Sequence, residues 1–227
     1  MFDLFIGNKN YSSWSLRPWV LLRELNIPFR ENLVPFGGSQ NPHAFRDFSP
    51  TGKVPCLVDG SITVWDSLAI TEYVGERHAG VWPAEAVARA WARSASAEMH
   101  SGFFGLRNTC TMNCGLRIKL RTIDAALNRD LARLEELWAD GLNRFGGPFL
   151  TGPRFCAVDA FYAPVALRIQ TYDPPIGSGA RRYAAQLLAL ASMKDWYSAA
   201  LQETWRDEEH EVEARAVGEW REDLRAR

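Results

Sequence analysis

The residues best placed to do chemistry in this 227-residue chain are two adjacent serines, Ser12 and Ser13, in the stretch "NKNYSSWSLRPW" at 8–19. They follow a short apolar run and precede a segment with helical spacing. A hydroxyl there can cap the helix, because its oxygen accepts an orphan backbone N–H. Ser15 is the natural cap: it puts Pro18 at the third helical position, where a missing N–H costs little. Ser12 and Ser13 are then left in the strand-to-helix loop. They serve a plain turn there, or they face a ligand. A helix N-terminus stabilises an anion and lowers the pKa of a thiol. Moving a thiol from about 8.5 to two units lower needs roughly 2.7 kcal/mol of preferential stabilisation. A hydroxyl donor plus the helix end can supply much of that. The stretch has no cysteine, so the thiol has to arrive with the ligand.

A second pair, Asp66–Ser67, opens a later helical segment. Both residues are good caps, and free N–H groups beside them suit a carboxylate. Cys110 and Cys114 form a C-x3-C pair with His100 nearby in sequence. Structural zinc needs further ligands at a recognisable spacing, so these read as plain cysteines with no metal. His100 reads as a hydrogen-bonded helix residue rather than a base.

The elements that must position these groups follow from periodicity. Residues 2–6 predict a buried strand, 16–25 a helix and 28–34 a second strand. The stretch 35–52 is a loop rich in Pro, Gly, Ser and Asn, with a short helix expected around His43–Phe48. Apolar runs at 54–58 and 62–65 flank "DGS", a hairpin signal, and helical spacing resumes from Ser67. This order implies a small mixed sheet with helices on its faces. Residues 79–86 read as a linker, after which the pattern is helical. One long amphipathic helix is expected over 116–145 and a buried one over 157–172, with one or two more over 180–205. The charge-dense tail from Arg206 reads as a solvated or frayed helix.

"SPTGKVPCLVDG" and "VWDSLAITEYVGE", at 49–60 and 64–76, resemble the glutathione-binding half of the glutathione transferases. So does the order of elements along essentially the whole chain. The resemblance implies an α/β thioredoxin-like domain over 1–78, a linker over 79–86 and an all-α helical-bundle domain over 87–227. It implies glutathione as co-substrate and a cis Val54–Pro55 bond, with Val54 exchanging backbone hydrogen bonds with the peptide. It places a γ-glutamyl carboxylate at Ser67 and the ammonium group at Asp66. The serine loop resembles the zeta-class pattern, with Ser12 as the activating hydroxyl, Ser13 as the alternative, and Trp14 where that pattern has cysteine. Tyrosine-type members carry their tyrosine close to Ile6, so Tyr11 is not the matched group. Zeta-class isomerases use an arginine on the central helix of the second domain. Its place falls on Thr171, with Arg168 about one turn earlier. "CAVD" at 156–159 matches the family's helix-capping box, with Cys156 a poorer acceptor than serine or threonine.

The implied function is attack of glutathione thiolate on an electrophilic small molecule. Alternatives are a glutathione-dependent cis–trans isomerase of the maleylacetoacetate type and a non-catalytic glutathione-binding stress protein. Phe103, Arg107, Met112 and Tyr162 are candidates for the electrophile pocket, with core packing the competing reading for the aromatic ones. Family members are usually homodimers. A net charge of −1, from 26 basic and 27 acidic residues, lacks the basic excess of a nucleic-acid binder. No run approaches the ~20 apolar residues of a membrane span, and the start reads as a strand rather than a secretory signal. Four scattered cysteines point to a reducing cytoplasm rather than a disulfide framework.

Overall fold

The computed structural model describes residues 1–36 and 43–225. The sheet forms as the sequence predicts. Strands β1 (Phe2–Ile6), β2 (Phe29–Leu33), β3 (Cys56–Asp59) and β4 (Ile62–Trp65) lie in the order β2-β1-β3-β4. Strand β1 pairs parallel to β2, with Phe2 opposite Phe29, and antiparallel to β3. The β3–β4 hairpin turns through Gly60 at φ +61, a conformation open to glycine. Phe2, Leu4 and Ile6 alternate inward along β1. Helices α1 (Ser13–Glu24) and α2 (Ser67–Gly75) complete this N-terminal domain. Residues 43–48 form turns instead of the expected short helix. Residues 37–42 of the predicted loop lie outside the described residues.

The C-terminal region is helical. It comprises α3 (Ala86–Ser101), α4 (Phe104–Thr109), α5 (Ala125–Phe145), α6 (Ala157–Tyr172), α7 (Ser178–Ala189), α8 (Ala191–Gln202) and α9 (Glu208–Val217). All of α6 except Gln170 is buried, as its all-round apolar pattern implies. Its N-terminus is held by Asp159, which accepts hydrogen bonds from Cys156 N and Leu150 N, both at 3.0 Å, and from the Tyr183 hydroxyl at 2.7 Å. The segment between α3 and α4 breaks at Gly102–Phe103, where Phe103 takes φ 55.

Two expectations change here. The long helix over 116–145 begins only at Ala125, and its first residues form strand β5 (Leu116–Leu120). Leu116 and Ile118 alternate with Arg117 and Lys119, and that period of two prevails over a helical reading taken across a longer window. The tail does not fray. After α9 it forms β6 (Gly218–Asp223), which pairs antiparallel with β5, Leu116 opposite Asp223. The helical region therefore carries a two-stranded ribbon that joins its middle to the chain end. Among the described residues no helix is long and apolar enough to cross a membrane.

Candidate functional site

The serine loop is built around Ser12, not Ser15. Ser12 is the N-cap of α1, and its oxygen accepts the backbone N–H of Ser15 at 3.3 Å. The Ser12 hydroxyl donates to Ser15 Oγ at 2.7 Å, and Ser15 Oγ in turn accepts Gly7 N–H at 3.1 Å. The expected cap moves three residues because the first turn of α1 already includes Ser13, Trp14 and Ser15. Pro18 consequently lies at the sixth helical position rather than the third, and leaves the Trp14 carbonyl without its usual i+4 donor. Ser15 is fully buried, while Ser12 and Ser13 border a cavity of about 350 Å³.

This cavity lies between the two halves of the molecule. Ser12, Ser13, Lys53 and Val54 face it from the N-terminal domain, and Arg107, Met112 and Arg168 from the helical region. Trp14, Lys53 and Val54 also border an adjoining cavity of about 470 Å³, lined by Pro55, Asp66 and Ser67. The Val54–Pro55 bond is cis. The segments 12–14, 53–55 and 66–67, separate in sequence, thus meet around two connected spaces. Arg107 and Met112, expected in the electrophile pocket, border the first cavity. Phe103 and Tyr162 do not. Both are buried in the core, edge to face at 6.4 Å, and the Tyr162 hydroxyl donates to Ala95 O at 3.0 Å. Aromatic residues on a helix pack inward unless a cavity meets them, and here α6 turns Tyr162 toward α3.

The site is rich in cations. Arg168 is buried and spans from α6 to α1, where its Nη2 donates to Ser13 Oγ at 3.3 Å. Its Nε donates to Cys110 O at 2.7 Å. Burial pulls its pKa down to about 10, with Arg107 adding repulsion, so the group is still a cation at neutral pH. Thr171, the position that the family count singles out, is occupied with backbone: its hydroxyl donates to Asn113 O at 2.7 Å. Positions 168 and 171 share a face of α6, so the longer side chain one turn earlier serves the cavity. That i, i+3 relation is the signal that a position-by-position count passes over.

Trp14 ties the two cavities together. The guanidinium groups of Arg17 and Arg107 lie over its ring, at 4.2 and 4.5 Å from the centroid. Arg17 is completely buried, donates to Ser67 Oγ at 3.4 Å and leaves its Nε unpaired. Burial and the neighbouring arginines lower its pKa to about 9. Asp66 caps α2 through Leu68 N at 2.8 Å, and its second oxygen lies 3.4 Å from His100 Nε2. His100 also meets Trp14 edge-on. Its pKa is lowered by burial, against the pull of Asp66.

The remaining wall comes from the tail. Tyr11 OH donates to Glu211 at 2.6 Å, and burial with that carboxylate raises its pKa. A neutral hydroxyl already committed as a donor is a poor thiol activator. Burial works to raise the pKa of Glu211, but hydrogen bonds from Arg225 and Tyr11 outweigh it and leave it lowered. Arg225 reaches Glu211 Oε2 at 3.1 Å and Asp223 at 2.6 Å with its side chain 2% exposed. His210 and Glu213 project from α9 to the cavity. The sequence reading missed His210. Its one local signal is the Asp207–His210 spacing of three at a helix start.

All four cysteines are free and buried. Burial pushes the Cys110 thiol up to about 12. Among the described residues no cluster of His, Cys, Asp and Glu could hold a metal ion.

Residues 11–77 match the family model described as glutathione S-transferase, N-terminal domain. A dichloromethane dehalogenase of Methylorubrum extorquens is 46% identical over 63 residues, 26% of this chain and 22% of the relative. The chain thus spans about a fifth of the length of that curated relative. A zeta-class glutathione S-transferase of Euphorbia esula is 29% identical over 134 residues, 56% of this chain and 58% of the relative. The glutathione transferase homologue from Burkholderia GL BGR1, solved with bound glutathione, superposes with a TM-score of 0.65 at 23% identity, covering 88% of this chain and 97% of that one. Residues 11–77 thus match the N-terminal domain of the glutathione S-transferases, and the chain has the fold of a solved glutathione transferase homologue.

Proposed function

We propose that the chain is a glutathione transferase that holds the thiol of glutathione as thiolate for attack on an electrophilic carbon. The observation that carries this reading is the hydroxyl chain at the start of α1. Gly7 N–H donates to Ser15 Oγ, which lies 2.7 Å from Ser12 Oγ. Hydroxyl protons rotate to suit their partners. If Ser15 donates along that contact, Ser12 keeps two donors on its oxygen, from Ser15 Oγ and Ser15 N, and its own O–H is free for sulfur. No hydrogen bond is lost, and a chain of this kind polarises its last member. Ser13, accepting from Arg168, adds a second hydroxyl and a cation nearby. Val54 would pair with the peptide backbone, and Asp66 and Ser67 would receive the γ-glutamyl end at the α2 N-terminus. Arg17, hydrogen-bonded to Ser67, supplies positive charge for that carboxylate.

A hydrogen bond to a charged group contributes roughly 1.5–3 kcal/mol. Ser12→Ala should therefore raise the pH at which bound glutathione shows thiolate absorbance by about one unit or more. An unchanged titration removes Ser12 from the mechanism. Failure of the wild-type protein to bind glutathione at millimolar concentration removes the enzymatic reading and leaves a protein that only keeps the fold.

Arg168 favours a second reading. A buried guanidinium on the cavity wall suits an electrophile that carries a carboxylate, as in a glutathione-dependent cis–trans isomerase of the maleylacetoacetate type. Assay with a maleyl substrate and with a haloalkane separates isomerisation from substitution. A cytoplasmic homodimer is part of the same reading, and sedimentation at micromolar concentration tests the dimer.

A further inference from the structure

A thiol that becomes a thiolate must pass its proton to a base. The serine hydroxyls stabilise the anion by donating to it and have no lasting place for another proton. Arg107 and Arg168 are cations, and Tyr11 already donates to Glu211. Among the described residues on the cavity wall, the bases are His210 and Glu213.

His210 is the oriented one. Asp207, the N-cap of α9, accepts the His210 backbone N–H at 3.3 Å and holds ring Nδ1 at 2.6 Å. The ring stacks on Phe36, centroids 5.4 Å apart and planes 14° apart, and lies 5.1 Å from the Tyr11 ring. Nδ1 is committed, and among the described residues Nε2 has no protein partner. A carboxylate on one ring nitrogen fixes the tautomer and presents the other as a proton acceptor. Glu213 has no comparable hydrogen bond among the described residues. The titratable groups against the ring are Asp207 on its own helix and Tyr11 from the serine loop, with Glu213 on the same cavity wall; Tyr11 in turn donates to Glu211, which pairs with Arg225.

We propose that His210, oriented by Asp207, is the proton-transfer residue of this site. This rests on the glutathione transferase reading above. His210 Nε2 takes the thiol proton as the S–H bond breaks, and both electrons stay on sulfur. With an α,β-unsaturated ketone as the probe electrophile, the thiolate adds to the β-carbon, a C–S bond forms as the C=C π bond breaks, and the π electrons move to the enolate. The imidazolium then returns the proton to the α-carbon. One S–H bond is consumed, one C–S and one C–H bond are made, and no further reactant is needed. A substitution with an anionic leaving group uses only the first half of this sequence and releases the proton to solvent.

The test starts with the wild-type protein, glutathione and benzylideneacetone. If the wild type neither binds glutathione nor conjugates, the transferase reading fails and this proposal falls with it. If it conjugates, His210→Ala should lower kcat/KM by about tenfold or more, the range expected for a lost general base, with glutathione binding retained. Added imidazole should restore a measurable part of the rate, in proportion to the free base. Asp207→Asn keeps the helix cap but loses the carboxylate, and should give a several-fold loss and an altered pH profile. If His210→Ala does not fold, this second variant decides. Wild-type rates in His210→Ala, a loss that imidazole does not restore, or an unaltered profile in Asp207→Asn overturns the proposal. Loss of the acidic limb of the pH profile in Glu213→Gln, with that limb kept in His210→Asn, assigns the proton to Glu213 and overturns it equally.

Discussion

The two walls of the site are made in opposite ways. The N-terminal wall is built from short motifs whose partners lie close in sequence. Ser12 caps its own helix, Asp66 caps the next, and the β3–β4 hairpin links them. The C-terminal wall is built from long-range contacts between charged groups. Glu203 accepts the backbone N–H groups of Lys9 at 2.6 Å and Asn10 at 3.2 Å, across more than 190 residues of sequence. Glu211 accepts from Tyr11, and Arg225 closes over both. The first wall uses the backbone's own unsatisfied groups. The second takes charges out of water and holds each by hydrogen bonds or an opposite charge. The same loop, residues 8–13, is held from one side by local caps and from the other by the tail.

The sharpest way to break this comparison lies in the tail itself. Arg225→Ala would leave Glu211 buried and without its cation. Removing one partner of a buried pair costs about 3–5 kcal/mol, and chemical denaturation should read a loss of that order. The Arg215–Glu208 pair on the neighbouring helix is the control, with side chains 56% and 77% exposed. Arg215→Ala should change stability by less than about 1 kcal/mol. Equal effects from the two substitutions would mean that Arg225 is hydrated in solution and that the tail is no structural wall.

Arg168 comes next in expected size. It belongs to the helical region yet touches Ser13, so it joins the two halves at the cavity. Arg168→Met removes the charge and keeps much of the side-chain volume. Losing a cation beside an anion raises the anion's pKa, so the midpoint for bound glutathione thiolate should rise by about half a unit to one unit. The rate at neutral pH should fall by several-fold. A midpoint that stays in place while stability drops would limit Arg168 to holding Cys110 O and the α6–α1 contact.

Legibility in the sequence follows the same division. Strands β1 to β4 and helix α6 could be read because their causes are local: alternation, hairpin chemistry and an all-round apolar pattern, whereas Val54, Pro55, Asp66 and Ser67 were singled out by the family resemblance. Within that wall the reading still misplaced the cap. Ser12, Ser13 and Ser15 are chemically equal cap residues, and only the folded loop shows which one has non-helical backbone. The second wall was illegible for a physical reason. Glu211 and Arg225 belong to a tail whose composition is that of a solvated surface, and Glu203 lies just before it. Their burial depends on partners nearly the whole chain away, which no window contains. Strand β5 was missed for a different reason, since its short period of two was overridden by the helical spacing of the residues after it. For Phe103 and Tyr162 the sequence left pocket and core open; both are buried and line neither cavity.

The smallest effect tests the N-terminal wall most finely. Ser15 is fully buried and touches no cavity, so its influence on a bound thiol must pass through Ser12. Ser15→Ala removes an acceptor for Gly7 N–H and the partner of the Ser12 hydroxyl. The stability cost should be about 1–2 kcal/mol, the usual effect of leaving a buried donor unmatched. The thiolate midpoint should rise by less than in Ser12→Ala, because Ser12 still donates but loses the polarisation of its chain. The decisive measurement is the double substitution. In a Ser12→Ala background, Ser15→Ala should leave the midpoint where Ser12→Ala alone put it, since the chain has already lost its last link. If the two shifts add in full, Ser15 acts on the site by a separate route, as residues without a shared partner do. The hydroxyl chain would then be a structural feature of the turn, and the burden of holding the thiolate would pass to Ser13 and Arg168.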